Sequence, residues 1–212
     1  MPKYLKYKVS NYGFESKNNF LKTIFNKGNY GEFLTFLCLE KLDIYNKIMT
    51  NLYIPKEDGT TTEIDLIMIG ETGIYVFESK NYSGWIFGDE KYKNWTQSLE
   101  NKQKYKFYNP IWQNKGHINA LESILDMEYE DSFKSYIIFS ERCELKNVSV
   151  HSKDVKVLKR NSLLKIIKND IKYSQIIFTK EKIDQLYLKL QEFAYVDVSI
   201  KDEHIKNIQE FK

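Results

Sequence analysis

Asp65, Glu78 and Lys80 are the residues whose types and spacing could do chemistry. They lie in the segment EIDLIMIGETGIYVFESK, residues 63–80, where two β-rich runs flank Gly70-Glu71-Thr72-Gly73. Such a Gly-bounded connection between alternating runs predicts a hairpin. If Ile69 pairs with Ile74, then Ile67 faces Val76, Asp65 faces Glu78 and Glu63 faces Lys80. Alternation puts all eight side chains on one face of the sheet. That face is apolar near the turn and charged further out.

Carboxylates placed directly across a hairpin have Cβ atoms roughly 4.5–5.5 Å apart. They repel one another, which weakens the hairpin or pushes one pKa upward. A hard divalent cation such as Mg²⁺ removes the repulsion, because it takes carboxylate and water oxygens as ligands. It can also polarise a phosphodiester and activate a water for in-line attack. Lys80 points to the same side and could position that water or stabilise charge on the phosphate. A plain cross-strand salt bridge between Glu63 and Lys80 is the competing reading. A lone acidic pair in a hairpin is more often structural. Two carboxylates and a lysine abutting apolar residues shift the balance towards a site.

Other elements must position this face. A helical pattern starts near Asn29 and carries Phe33, Leu34 and Leu37. Ile44 to Ile54 reads as a strand stopped by Pro55. Trp85 to Gly88 reads as a short strand or edge, and Lys91 to Asn109 is ambiguous. Pro110 can open a helix, and Ile111, Ile118, Leu121, Ile124 and Leu125 sustain its apolar stripe. Tyr136 to Phe139 is a short apolar strand, and Val155 to Leu158 suggests another. Helices are expected near 161–169, 180–193 and 202–210. The core order is therefore α, β, β, β, α, β, with helical additions at the C-terminal end. We divide the chain into a basic arm (1–28), a core (29–145) and a mostly helical extension (146–212).

The chain has 212 residues, 42% of them apolar, with 16 Tyr, 13 Phe and 3 Trp. It should fold as one domain rather than stay disordered. The net charge of +3 hides an uneven distribution. Residues 31–79 are acidic, and the segments on either side of them, 1–30 and 80–117, are basic. An acidic centre between basic flanks is what a metal site beneath a phosphate track would look like, although chance clustering would give the same pattern. Cys38 and Cys143 have no metal-ligand spacing and are read as buried free thiols. That implies a reducing, cytoplasmic compartment. No apolar stretch is long enough to span a bilayer.

The run EIDLIMIGETGIYVFESKNYSGWIFG, residues 63–88, resembles the nuclease-related domain (NERD) of the PD-(D/E)XK nuclease superfamily. The family has an acidic residue before the strand turn and Glu-x-Lys on the next strand, places that Asp65 and Glu78-Ser79-Lys80 occupy. Gly31-Glu32 and Asn109-Pro110-Ile111-Trp112-Gln113 match two further stretches of the family. The resemblance spans roughly residues 29–127. It implies an α/β, restriction-endonuclease-like core, a mixed sheet flanked by helices. It also implies Mg²⁺ or Mn²⁺ held by Asp65, Glu78 and the Ser79 carbonyl, with Glu32 assisting through metal or water. Lys80 would orient the nucleophile, and Gln113 would shape the site. An acid in a first helical turn also suits the macrodipole, so Glu32 has a plain reading as well.

The implied partner is nucleic acid, DNA first, with no membrane role and a homodimer as one arrangement. Lys102, Lys104 and Lys106 interleave with aromatics, and with Lys115 and His117 they are candidate phosphate contacts. Tyr105 and either Phe107 or Tyr108 read more readily as core residues. Trp85 reads as a packing residue. His117 shares a helix face with Gln113 and could as well be a hydrogen-bonded structural histidine. Three functional readings stand at this point. They are a nuclease, a binding module that keeps the fold, and a restriction-type or mobile-element defence protein sharing the nuclease chemistry.

Overall fold

The structure, a computed structural model, describes residues 1–56, 58–125 and 132–194. Helices α1 (Lys3–Val9), α2 (Tyr12–Ser16), α3 (Phe20–Phe25) and α4 (Lys27–Leu39) come first. Strands β1 (Asn46–Pro55), β2 (Thr61–Gly70) and β3 (Gly73–Lys80) follow, and then β4 (Gly84–Asp89), β5 (Asn94–Ser98) and β6 (Lys104–Tyr108). After α5 (Pro110–Leu125) come β7 (Phe133–Phe139), β8 (Cys143–Ser149), β9 (Val155–Lys159), α6 (Arg160–Tyr173) and α7 (Lys180–Ala194).

The hairpin has the register that the alternation predicts. Ile69 pairs with Ile74, Ile67 with Val76 and Leu66 with Phe77. Gly70 pairs with Gly73, so the connection closes to the two residues Glu71 and Thr72. Ile67, Ile69, Ile74 and Val76 bury one face against α5 and α7. Leu66, Met68, Tyr75 and Phe77 bury the other against α4 and α6. The hairpin is thus a central, two-sided element, which its near-continuous apolar run requires.

Two mixed sheets result. The larger has the order β1-β2-β3-β7-β9, with β3, β7 and β9 parallel. The smaller has the order β6-β5-β4-β8, with β4 parallel to β8. The chain therefore leaves the large sheet for the small one twice. It crosses from β3 to β4 through Asn81, Tyr82 and Ser83, and from β7 to β8 through Ser140, Glu141 and Arg142. The small sheet packs Ile86 and Trp95 on Ile137 and Phe139 of β7 and Ile111 of α5. This is the mixed α/β architecture expected, with three strands of the small sheet inserted between the third core strand and the helix, and the fourth, β8, added after β7.

Several expectations are refined. The ambiguous stretch Lys91 to Asn109 is mostly the hairpin β5–β6. The N-terminal arm is three short helices, and Tyr12 packs at 5.2 and 5.5 Å from the rings of Phe33 and Phe36. The boundary drawn at 145 falls inside β8, and β9 completes the large sheet, so the later residues add strands as well as helices. The helices expected at 161–169 and 180–193 are α6 and α7, while 202–210 lies outside the described residues. Cys143 is buried but Cys38 is only half-buried, and both are free. Trp85, read as a packing residue, is 51% exposed, with Lys146 Nζ 5.4 Å from its ring centroid. Among the described residues, no helix is long and apolar enough to cross a membrane.

Gly88 shows how tightly the small sheet is packed. A Cβ there would lie 2.1 Å from Trp95 Cδ2, and Trp95 is fully buried. Gly88→Ala should therefore cost about 2–3 kcal/mol through overpacking. Denaturant unfolding would reveal it as a lower midpoint, and an unchanged midpoint would mean that Trp95 moves freely aside.

Candidate active site

Glu78 is the centre of the charged end of the hairpin. Its position on β3 turns it towards α5, and it is 2% exposed. Lys80 Nζ lies 2.7 Å from Glu78 Oε1, and His117 Nε2 lies 3.1 Å from Oε2. Lys80 also donates to Gln113 Oε1 at 3.0 Å. Thr62 Oγ1 lies 2.8 Å from His117 Nδ1. A neutral imidazole satisfies both contacts, with Nε2–H donating to the carboxylate and Nδ1 accepting from the hydroxyl.

Asp65 sits just beyond the last pair of the hairpin ladder, Leu66 with Phe77. Its Oδ2 accepts from the Ser79 backbone N–H at 3.0 Å. Glu32 reaches the same end of the sheet from α4, where Tyr12 donates to its Oε2 at 3.4 Å. Glu63 does not hold Lys80. Tyr53 donates to Glu63 Oε1 at 2.5 Å instead.

The charges divide as two carboxylates forced together should. Burial alone would push Glu78 up, but Lys80 and then His117 hold it down at about 2. Lys80 is raised despite its burial, because Glu78 and Asp65 stabilise the ammonium. Asp65 is pushed well above the carboxylate range by burial and by the charges of Glu78 and Glu32. Burial and the charges of Glu63 and Glu78 push Glu32 up to about 8, despite the hydrogen bond from Tyr12. Among the described residues, no three His, Cys, Asp or Glu side chains are gathered closely enough to hold a metal ion by themselves. An ion here would also draw on backbone carbonyl and water oxygens.

Helix α5 aims Gln113 and His117 at this centre, and Asn109 fixes where the helix starts. Asn109 Oδ1 accepts from the Ile111 N–H at 2.9 Å, which caps the first turn. Its Nδ2 donates to the carbonyls of Glu90 and Tyr92 at 3.0 and 2.8 Å, tying α5 to the small sheet. Pro110 at the first helical position gives up no needed donor. One turn on, Asn114 Nδ2 donates to the Val76 carbonyl and to Ser135 Oγ, locking the helix onto β3 and β7.

The structure puts Glu78, Lys80 and Gln113 in direct contact, ties Asp65 to the Ser79 N–H between the first two, and leaves Glu32 near enough to feel the charge of Glu78. It corrects His117 as a phosphate contact. The ring is 3% exposed and both nitrogens are engaged, so it supports Glu78 from behind. Lys102, Lys104, Lys106 and Lys115 are exposed. Tyr105 and Tyr108 are about half exposed, and Phe107 is the aromatic of β6 that packs inward, against Tyr82, Trp95 and Phe139. Sequence reasoning missed Tyr12, Thr62 and Asn114. Only the place of Asn114 directly after the Asn-Pro-x-x-Gln stretch gave any signal, since the other two reach the site from distant elements.

With this geometry in place, the similarities to known proteins agree with it. The family model for the nuclease-related domain matches residues 27–140, a span from the first residue of α4 to the residue after β7. An uncharacterised protein of Bacillus anthracis is 38% identical over 181 residues, covering 85% of this chain and 82% of its own. No solved structure matches. The chain belongs to the nuclease-related domain family.

Proposed function

We propose that this protein is a metal-dependent phosphodiesterase acting on nucleic acid, DNA first, with Asp65, Glu78 and Lys80 at its centre. One observation carries the reading. Buried Glu78 is held 2.7 Å from Lys80 and 3.1 Å from His117, and Asp65, which accepts from the Ser79 N–H, and buried Glu32 bring two more acids to the same end of the sheet. Clustered hard oxygen donors of this kind suit Mg²⁺ or Mn²⁺, which keep several waters of their own. Asp65, Glu78 and the Ser79 carbonyl would hold the ion, with Glu32 reaching it through water. Such an ion would polarise the phosphodiester and lower the pKa of a coordinated water.

The remaining work falls to the protein's own groups. Lys80 holds the attacking water in line or stabilises charge on the phosphate. Gln113 restrains the lysine side chain, and His117 fixes the carboxylate that anchors the site. Lys102, Lys104, Lys106 and Lys115 offer neutralising contacts to flanking phosphates. The two free thiols suit a reducing compartment such as the cytoplasm.

The test is incubation with circular and linear DNA, single-stranded and duplex, in Mg²⁺, Mn²⁺ or EDTA, beside the Glu78→Ala variant. Metal-dependent cutting that disappears in the variant is expected. Cutting that persists in Glu78→Ala would remove this site, and binding without any cutting would leave a nucleic-acid-binding module.

A further inference from the structure

The chain has only two arginines, Arg142 and Arg160, among 32 basic Lys and Arg residues. They are far apart on the fold's path, one in the β7–β8 crossing and the other opening α6. Yet both line one cavity of about 260 Å³, together with Lys27, Tyr30, Asn81 and Ser140. Glu141 is the one carboxylate on its wall, and Ile24 and Leu34 complete it. The cavity adjoins the candidate active site. Asn81 directly follows Lys80, and the Ser140 N–H donates to the Lys80 carbonyl at 2.9 Å.

Arg160 is the telling residue. It is 4% exposed, and its Nε donates to Thr35 Oγ1 at 3.3 Å. Its Nη2 is buried and has no hydrogen-bond partner. A tie between α6 and α4 needs only the Nε bond, so the unpartnered Nη2 is unexplained by structure alone. Leaving a buried charged donor unsatisfied is costly, and native proteins rarely tolerate it without a ligand or a function. Gly31 lets the parts come this close. A Cβ there would lie 3.0 Å from Asn81 Cβ and 3.6 Å from Arg160 Nη2.

Arg142 is arranged from the other side. Its Nη2 donates to the Asn81 carbonyl and to Asn81 Oδ1 at 2.9 and 3.0 Å, and its Nε donates to Ser140 Oγ at 3.3 Å. These bonds hold the guanidinium in place before any ligand arrives, and preorganisation of that kind favours binding. Two helices also begin here. Lys27 and Tyr30 lie in the first turn of α4, and Arg160 is the first residue of α6. Their positive dipole ends add to three cations set against one carboxylate.

We propose that this cavity binds the terminal phosphate of a nucleic-acid strand. Guanidinium groups match phosphate oxygens through paired donors, which lysines do not. A terminal monoester carries up to two charges and projects beyond its sugar, so it can reach the buried Arg160. An internal diester carries one charge and would need both flanking sugars to enter. Placed one residue along the chain from Lys80, a bound end would set a short distance from strand end to cut. That last consequence rests on the nuclease reading, whereas the binding itself does not.

The test is metal-free, so it is independent of turnover. Fluorescence anisotropy of the full chain in EDTA would compare one single-stranded oligonucleotide with a 5′-phosphate, with a 3′-phosphate, or with hydroxyls at both ends. One phosphorylated form should bind roughly tenfold more tightly than the hydroxyl form. Inorganic phosphate should erase the preference, and so should Arg142→Ala at an exposed position, with its melting temperature checked against wild type. Arg160→Lys, which keeps the charge but not the fork, should weaken it as well. Equal affinity for all three oligonucleotides would overturn the proposal. A circular strand losing as much affinity in Arg142→Ala as the phosphorylated linear one would also overturn it, because the contact would then be to internal phosphates. If the preference is found but no cleavage ever is, the pocket stands and the nuclease reading falls.

Discussion

Replacing Lys80 by alanine should lower metal-dependent cleavage by about 10³-fold while nucleic-acid binding and the fold survive. The lysine is held, not mobile. Its ammonium sits 2.7 Å from Glu78 Oε1 and 3.0 Å from Gln113 Oε1. Its loss removes a charge and a fixed position together, and position is a large part of catalytic rate. Lys80→Arg should not rescue, because a planar fork cannot occupy the place of a compact ammonium between a carboxylate and an amide. Gln113→Ala should show a smaller loss, since the lysine keeps its carboxylate partner. Anisotropy with uncleaved DNA in EDTA would separate binding from chemistry. A Lys80→Ala protein that cuts as fast as wild type would take the lysine out of the reaction.

The second large effect is on stability. Glu32 is buried with a carboxyl pushed from 4.5 up to about 8. In that window the folded chain keeps a proton that the unfolded chain gives up. Stability therefore falls as pH rises, by up to about 1.4 kcal/mol for each pH unit. Asp65 acts in the same direction. Glu78 acts in the opposite one. Its contribution is fully present above 4.5 and is lost as pH falls towards about 2. The metal-free protein should therefore be most stable in mildly acidic solution. Glu32→Gln removes the titrating group, so its melting temperature in EDTA should overtake that of wild type as pH rises towards 8. Mg²⁺ should narrow the gap by stabilising the wild-type carboxylates. Parallel melting curves for the two proteins across this range would mean that Glu32 is not titrating there.

What could be read from the sequence follows from how local each signal is. The hairpin register was legible near the turn because its pairing needs only alternation and a Gly-bounded turn, but the ladder ends at Leu66 with Phe77, before the expected pairing of Asp65 with Glu78. The start of α5 was legible because Pro110 marks it. The hairpin β5–β6 was not, since KYKFY and NWTQS mix exposed and buried aromatics without clear alternation. Strand β8 was missed because CELKNVS is mostly polar, and its parallel partner β4 lies more than fifty residues away in the chain. The role of His117 could not be read, because Thr62 and Glu78 meet it from two different strands. The meeting of Arg142 with Arg160 depends on the second crossing between sheets, which no spacing in the chain announces.

That double crossing also favours an order of assembly. The hairpin β2–β3 is local and can form early, and it already carries Asp65, Glu78 and Lys80. The parallel pairing of β3 with β7 must close a loop that contains the small sheet's first three strands and α5. Loops of that length pay their entropy before any contact repays it, which makes such pairings slow to form. Ser140 and Arg142 directly follow β7 and should arrive only with or after that step, whereas Gln113 and His117 on α5 can meet β3 earlier. The acidic face should thus form in the folding chain before the arginine-lined cavity beside it, which only the β7–β8 crossing can close.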